Sequence, residues 1–169
     1  MSNKILSIKD PEFKALVKQK TKLWRELDNS RTKHAGTDCI QDQWGTYVPM
    51  ERVRKLLDVM DQLVEVDNGD ESRGGRYSRA ALLLSLNYLD EAETEFKLLV
   101  AQDPEEPLLN RELVVIAARR GDFVEAIKIA AILNTSPNKS YHLSENNIIE
   151  EYESHKRLTR PRSVFDWKR

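Results

Sequence analysis

The sequence predicts an all-α protein, and three observations carry that prediction. Apolar side chains recur at intervals of three and four in one segment after another, which places them on one face of a helix. Pro and Gly, six of each, fall mostly between those segments and punctuate them. The stretch from residue 73 to 138 overlays on itself when shifted by 34 residues, so one helix–turn–helix unit is written twice.

Asp10-Pro11 starts the first helix, because Asp can cap the orphan N–H groups and Pro is tolerated in the first turn. Phe13, Leu16, Val17, Leu23, Trp24 and Leu27 form its apolar stripe, with Lys14, Lys18, Lys20, Lys22 and Arg25 between them. Residues 34–48 show neither helical nor strand period and read as a long connection, with Ile40, Trp44 and Tyr47 as anchors to the core. Pro49 opens a second helix whose stripe is Met50, Val53, Leu56, Leu57, Met60, Leu63 and Val64. The acidic, Gly-rich run from Asp67 to Gly75 follows and is the expected hinge.

From Arg76 the helices shorten. Tyr77, Ala80, Ala81 and Leu84 share a face, and Leu89 to Ala101 gives the next helix, with Ala92, Phe96 and Leu99 inward. Leu109, Leu113, Ile116 and Ala117 form a helix broken at Gly121; Phe123, Ala126, Ile127, Ala130 and Leu133 form its partner, stopped before Pro137. Turns of two to four residues make sequential helices antiparallel neighbours. Ser144 starts a final helix, with Ile148, Ile149, Tyr152 and His155 on one face, and residues 157–169 read as an extended basic-aromatic tail.

The 34-residue shift sets Asn87 on Gly121, Leu89 on Phe123, Glu91 on Glu125, Ala92 on Ala126 and Leu99 on Leu133. Here the chain resembles the tetratricopeptide-repeat family, whose unit is a 34-residue helical hairpin. The likeness rests on Leu86 to Pro104 and Arg120 to Leu133 and covers about two repeats, 73–138. It departs from the family pattern where Arg76 or Asn110 replaces an aromatic, and where Val114 replaces a small residue. The resemblance implies antiparallel hairpins stacked as a short solenoid. Residues 1–72 would be an N-terminal hairpin or degenerate unit, and 139–156 a capping helix.

Composition limits the chemistry. Nine basic and four acidic side chains in residues 1–33 leave five positive charges in excess, and four against nine in residues 34–73 leave five negative. The net charge of -1 conceals this division, which suggests that the basic helix pairs with the acidic segment within one chain or between two. A single Cys forms no internal disulfide and, with no secretory signal at the start and no long apolar run, points to the cytoplasm. His34 and Cys39 share a loop without further ligands or an oriented base, so neither a metal site nor a catalytic site is expected, and no cofactor is.

The function expected is non-catalytic protein–protein interaction, as an adaptor, chaperone-like or assembly protein. What the resemblance implies is a groove, lined by the first helix of each unit, that holds a peptide or helix of a partner. On this register Tyr77, Ala81, Leu84, Arg111, Val115 and Arg119 line it, with Asn110 and Glu112 at the rim. Relatives that grip a C-terminal carboxylate use Lys, Asn and Arg where this chain has Tyr77, Ala81, Leu108 and Glu112, so that clamp is not expected. Two alternatives stand beside this reading. One is a homo-oligomeric assembly subunit joined through the basic helix and the acidic segment. The other is a nucleic-acid-associated protein acting through Arg160, Arg162, Phe165, Trp167 and Arg169 of the tail, a partner that the overall pI near 6.3 disfavours.

Overall fold

The structure, a computed structural model, describes residues 9–66 and 72–157. They are all-α in class: seven α-helices, one short 3₁₀ turn and a single two-stranded hairpin. The chain divides into two compact units, one ending at Tyr88 and the other beginning at Leu89.

The first unit contains α1 (Pro11–Asn29), β1 (Cys39–Gln41), β2 (Tyr47–Pro49), α2 (Met50–Val66) and α3 (Ser72–Ser85). α2 is its centre and packs against both α1 and α3. Its buried side chains are Met50, Val53, Leu56, Leu57, Val59, Met60 and Leu63, the expected stripe with Val59 added, because two helices cover α2 rather than one, and Val64 only half-buried. α1 packs mainly on α2, so only Phe13 and Leu27 are buried on it, while Leu16 and Leu23 pack part-exposed on the cluster of Phe13, Val59 and Leu63.

Residues 34–48 are more ordered than their sequence indicates. Cys39–Gln41 pairs antiparallel with Tyr47–Pro49, and Thr32 extends the ladder by bridging to Tyr47. Each strand is three residues long, too short to show an alternating pattern. The turn between them is built by a side chain. Asp42, fully buried, accepts hydrogen bonds from the Trp44 and Thr46 backbone N–H groups at 2.9 and 3.0 Å, from the Thr46 hydroxyl, and from the Arg31 guanidinium. Gly45 closes the turn at φ +76°. Ile40 is buried and Tyr47 half-buried, but Trp44 is 63% exposed and lies under Arg31, 4.5 Å from its guanidinium, instead of joining the core.

The expected hinge is also corrected in part. Residues 67–71 lie outside the described residues, but α3 begins at Ser72 and includes Gly74 and Gly75. Gly75 is buried against α2, where a Cβ would stand at ordinary contact distance, 3.6 Å from the Leu63 Cβ and 3.8 Å from the Val64 backbone N.

The second unit contains α4 (Leu89–Gln102), α5 (Pro107–Arg120), α6 (Phe123–Leu133), the 3₁₀ turn Lys139–Tyr141 and α7 (Glu145–His155). Here α5 is central, touched by α4, α6 and α7. That explains why it buries residues all round: Leu109, Val114, Ile116, Ala117, Ala118 and Arg119. The core joins Val114, Ala117 and Ala118 of α5 to Ala126 and Ala130 of α6 and Ile148 of α7. Alanines at these positions let the helix axes come close. α6 does not match its expected stripe throughout, because Ile127 is 42% exposed, alongside Val124 at 82% and Ile132 at 64%. On α7, Ile149 is likewise half exposed while Ile148 and His155 are buried.

The 34-residue shift has a local geometric counterpart. Asn87 and Gly121 are both left-handed, at φ +67° and +78°. Asn87 and Tyr88 donate backbone hydrogen bonds to Leu84 and Leu83 at 3.0 and 2.9 Å; Gly121 and Asp122 donate to Ala118 and Ala117, both at 2.9 Å. The same helix-ending motif therefore recurs at matched positions.

Candidate functional site

α7 is fixed to α5 and α6 at three levels, and a cleft opens beside it against α5. Ser144 caps α7: its hydroxyl accepts from Asn147 N–H at 3.2 Å, and the Asn147 side chain accepts from Ser144 N–H at 3.0 Å. The approach to that cap is held by Asn134, whose amide both donates to and accepts from the Leu143 backbone at 2.9 Å. Midway, Ile148 enters the shared core. At the far end Tyr152 lies edge-on to Phe123, ring centres 5.2 Å apart, and covers Gly121.

The charged groups around this contact are arranged with one carboxylate at the hub. Arg119, only 4% exposed, donates to Glu151 at 2.7 Å, and His155 Nδ1 lies 3.3 Å from the same carboxylate oxygen. Glu112 lies nearby on α5; burial pushes its carboxyl above the usual carboxylate range, and Glu151 adds to that rise, while Arg111 and Arg119 oppose it. Arg111 keeps its Nε buried without a hydrogen-bond acceptor. Between these groups lies an open cleft of about 450 Å³, with Arg111, Val114, Val115 and Ala118 on the α5 wall, Ile148, Glu151 and Ser154 on the α7 wall, and His142 and Leu143 at one end.

The residues expected to line a groove are distributed as follows. Arg111 and Val115 face the cleft. Arg119 is buried and committed to Glu151, so it fastens α7 rather than meeting solvent. Asn110 donates from its side chain to the Pro104 carbonyl at 3.0 Å and ties the α4–α5 turn. Tyr77 and Ala81 are half-buried on α3 of the first unit, and Leu84 is buried there, 5% exposed. Arg160, Arg162, Phe165, Trp167 and Arg169 lie outside the described residues.

Several contributors were not singled out from the sequence: Val114, Ala118, His142, Leu143, Glu151 and Ser154. The recurrence of Ile148, Ile149, Tyr152 and His155 signals that α7 packs, but not onto which helix. Four carboxylates of the acidic segment are also engaged locally. Asp42 pairs with Arg31, Asp61 with Arg79 at 2.6 Å, Glu51 with Lys55 at 2.6 Å, and Asp38 lies 3.7 Å from Arg54. Among the described residues no group of three His, Cys, Asp or Glu side chains is placed to hold a metal ion, and no helix is long and apolar enough to cross a membrane. No family model matches the chain, and none of the curated proteins or solved structures does.

Proposed function

We propose that the protein is a non-catalytic interaction protein of the cytoplasm, an adaptor or assembly factor, that seats a peptide or helix of a partner between α5 and α7. The observation that carries this reading is the open cleft of about 450 Å³, whose apolar lining of Val114, Val115, Ala118, Leu143 and Ile148 is matched by polar and charged groups including Arg111, Asn147 and Glu150, of a size that accepts an amphipathic anchoring side chain. The repeated helix ending at Asn87 and Gly121 supports a repeat-based stack, resembling the tetratricopeptide family, as the scaffold. The charges favour binding over catalysis, since Glu151 is held by Arg119 and His155, and His142 Nε2 lies 2.8 Å from the Ser136 carbonyl.

The test replaces Val115, and separately Ser154, with a photo-crosslinking residue in the full chain expressed in its own cells, with Lys97 of α4 as control. Cross-links from 115 and 154 to one partner, absent at 97, are expected. Val115→Arg should weaken capture of that partner at least about tenfold, because a charge would be desolvated in the cleft. Cross-links that arise from Ile132 of α6 and not from 115 would move the binding surface elsewhere.

A further inference from the structure

We propose that the outer face of α1 is a sequence-independent binding surface for the phosphate backbone of duplex nucleic acid. This surface is separate from the α5–α7 cleft, and the inference does not depend on the function proposed for that cleft. Lys14, Lys18, Lys22 and Arg25 are all exposed. At 3.6 residues per turn they fall within about 80° of the helix circumference, opposite Phe13 and Leu27, and extend over about 16 Å of its length. Lys20 is the exception on this helix: it turns inward, donates to Ser78 of α3 at 3.3 Å, and burial lowers the pKa of its amine.

Nothing described in the first unit neutralises the stripe. Lys14, Lys18 and Arg25 form no ion pair among the described residues, and Lys22 meets Glu26 only at 3.8 Å. Asp28, near one end, is drawn to Arg31 at 2.9 Å. Of the described carboxylates between residues 34 and 66, Asp38, Asp42, Glu51 and Asp61 are held by Arg54, Arg31, Lys55 and Arg79, and Asp58 and Glu65 form no ion pair with the stripe. Among the described residues the stripe is therefore largely left without acids to answer it.

Its chemistry selects the occupant. Protein interfaces centre on large apolar or aromatic anchors, and among its cations this face has only Ala15, Gln19 and Thr21, with Val17 alone at its margin. A membrane-surface helix needs a free apolar side, and the apolar side of α1 is turned onto α2. No aromatic ring lies on the stripe to stack unpaired bases, since Trp24 is half-buried on the inward side. A polar, strongly positive and aromatic-free surface is what a duplex backbone requires. A duplex carries one negative charge per about 1.7 Å of axis over its two strands, so four long cationic side chains in a line of about 16 Å meet a dense array of phosphates.

The experiment measures anisotropy of a labelled 20-base-pair DNA duplex titrated with the full chain between 50 and 200 mM salt. Neutralising all four cations (K14Q, K18Q, K22Q and R25Q together) should reduce the salt slope of log K by about 3.6, and Lys14→Gln with Lys18→Gln by about half that. At 50 mM salt the fourfold variant should bind at least about a hundredfold more weakly. These positions are exposed, so thermal midpoints should stay within about 2 °C, and a paired Lys97→Gln, Lys128→Gln control should bind like the parent. An unchanged slope in the fourfold variant, no binding by the parent chain at 50 mM salt, or tighter binding to a polyglutamate peptide or to phosphatidylserine vesicles at equal charge would each overturn the proposal.

Discussion

Gly121 and Asn87 occupy matched positions and the same left-handed backbone, yet their surroundings make opposite demands. A Cβ at 121 would lie 3.1 Å from the Tyr152 ring, and φ is +78°. Gly121→Ala therefore combines a backbone cost of about 1–2 kcal/mol with displacement of Tyr152, and should destabilise the protein by about 2 kcal/mol in a denaturant titration. Asn87 is 4% exposed, and neither polar atom of its amide has a hydrogen-bond partner. Asn87→Gly removes an unsatisfied buried amide and a non-Gly left-handed residue, and should stabilise by about 0.5–1 kcal/mol in the same assay. Glu112 supplies a pH signature. Burial raises its carboxyl in the folded state, so the unfolded chain releases that proton more readily and this residue's contribution weakens stability as pH rises through the folded value. Glu112→Gln should raise the melting midpoint at pH 7 and leave it nearly unchanged at pH 4, as calorimetry at the two pH values would show. An equal gain at both would remove ionisation as the cause.

At the scale of elements, the hairpin depends on Asp42. Removing it leaves Arg31 without its buried partner and two backbone N–H groups without an acceptor. Asp42→Ala should cost about 3 kcal/mol and accelerate amide exchange at Gln41 and Thr46 before the α2 amides respond. A loss below about 1 kcal/mol would mean that strand pairing alone holds the turn. This hairpin was not legible in the sequence because Asp42 and Arg31 are eleven positions apart, and a three-residue strand carries almost no periodicity. The helices were legible to within a few residues, since each follows a stripe of long apolar side chains or a cap such as Ser144. Gly74-Gly75 misled for a physical reason: a Gly pair reads as a break from sequence, yet it is compatible with a helix that packs on a neighbour, as α3 does on α2.

At the scale of the whole molecule, the second unit has its own core around Val114, Ala118, Ala126 and Ile148, and its own polar ties. Arg120 joins Asp90 and Glu93 across α4 and α5. Although partial burial works against ionisation of Glu93, hydrogen bonds from Lys97 and Arg120 hold its carboxyl below the usual range. A fragment of residues 89–157 should accordingly retain a helical circular dichroism spectrum and melt cooperatively; a sloping, non-cooperative melt would count against it. The net charge of -1 also acquires a spatial meaning. Four of the carboxylates are consumed within the first unit, whereas Lys14, Lys18 and Arg25 of α1 face outward with no ion pair among the described residues.

Periodicity and punctuation by themselves determined the helical class, the boundaries of most helices, the 34-residue recurrence and the basic face of α1. These are local properties, fixed by side chains three, four or a few more positions apart. Which surfaces survive folding depended on tertiary structure. Arg119 looks from the sequence like a groove residue, but Glu151, 32 positions away, makes it a buried tie; Val115 and Arg111 on the same helix remain at the cleft. The difference arises because a helix presents all its faces in sequence, and only the neighbours that pack against it decide which of them meet solvent.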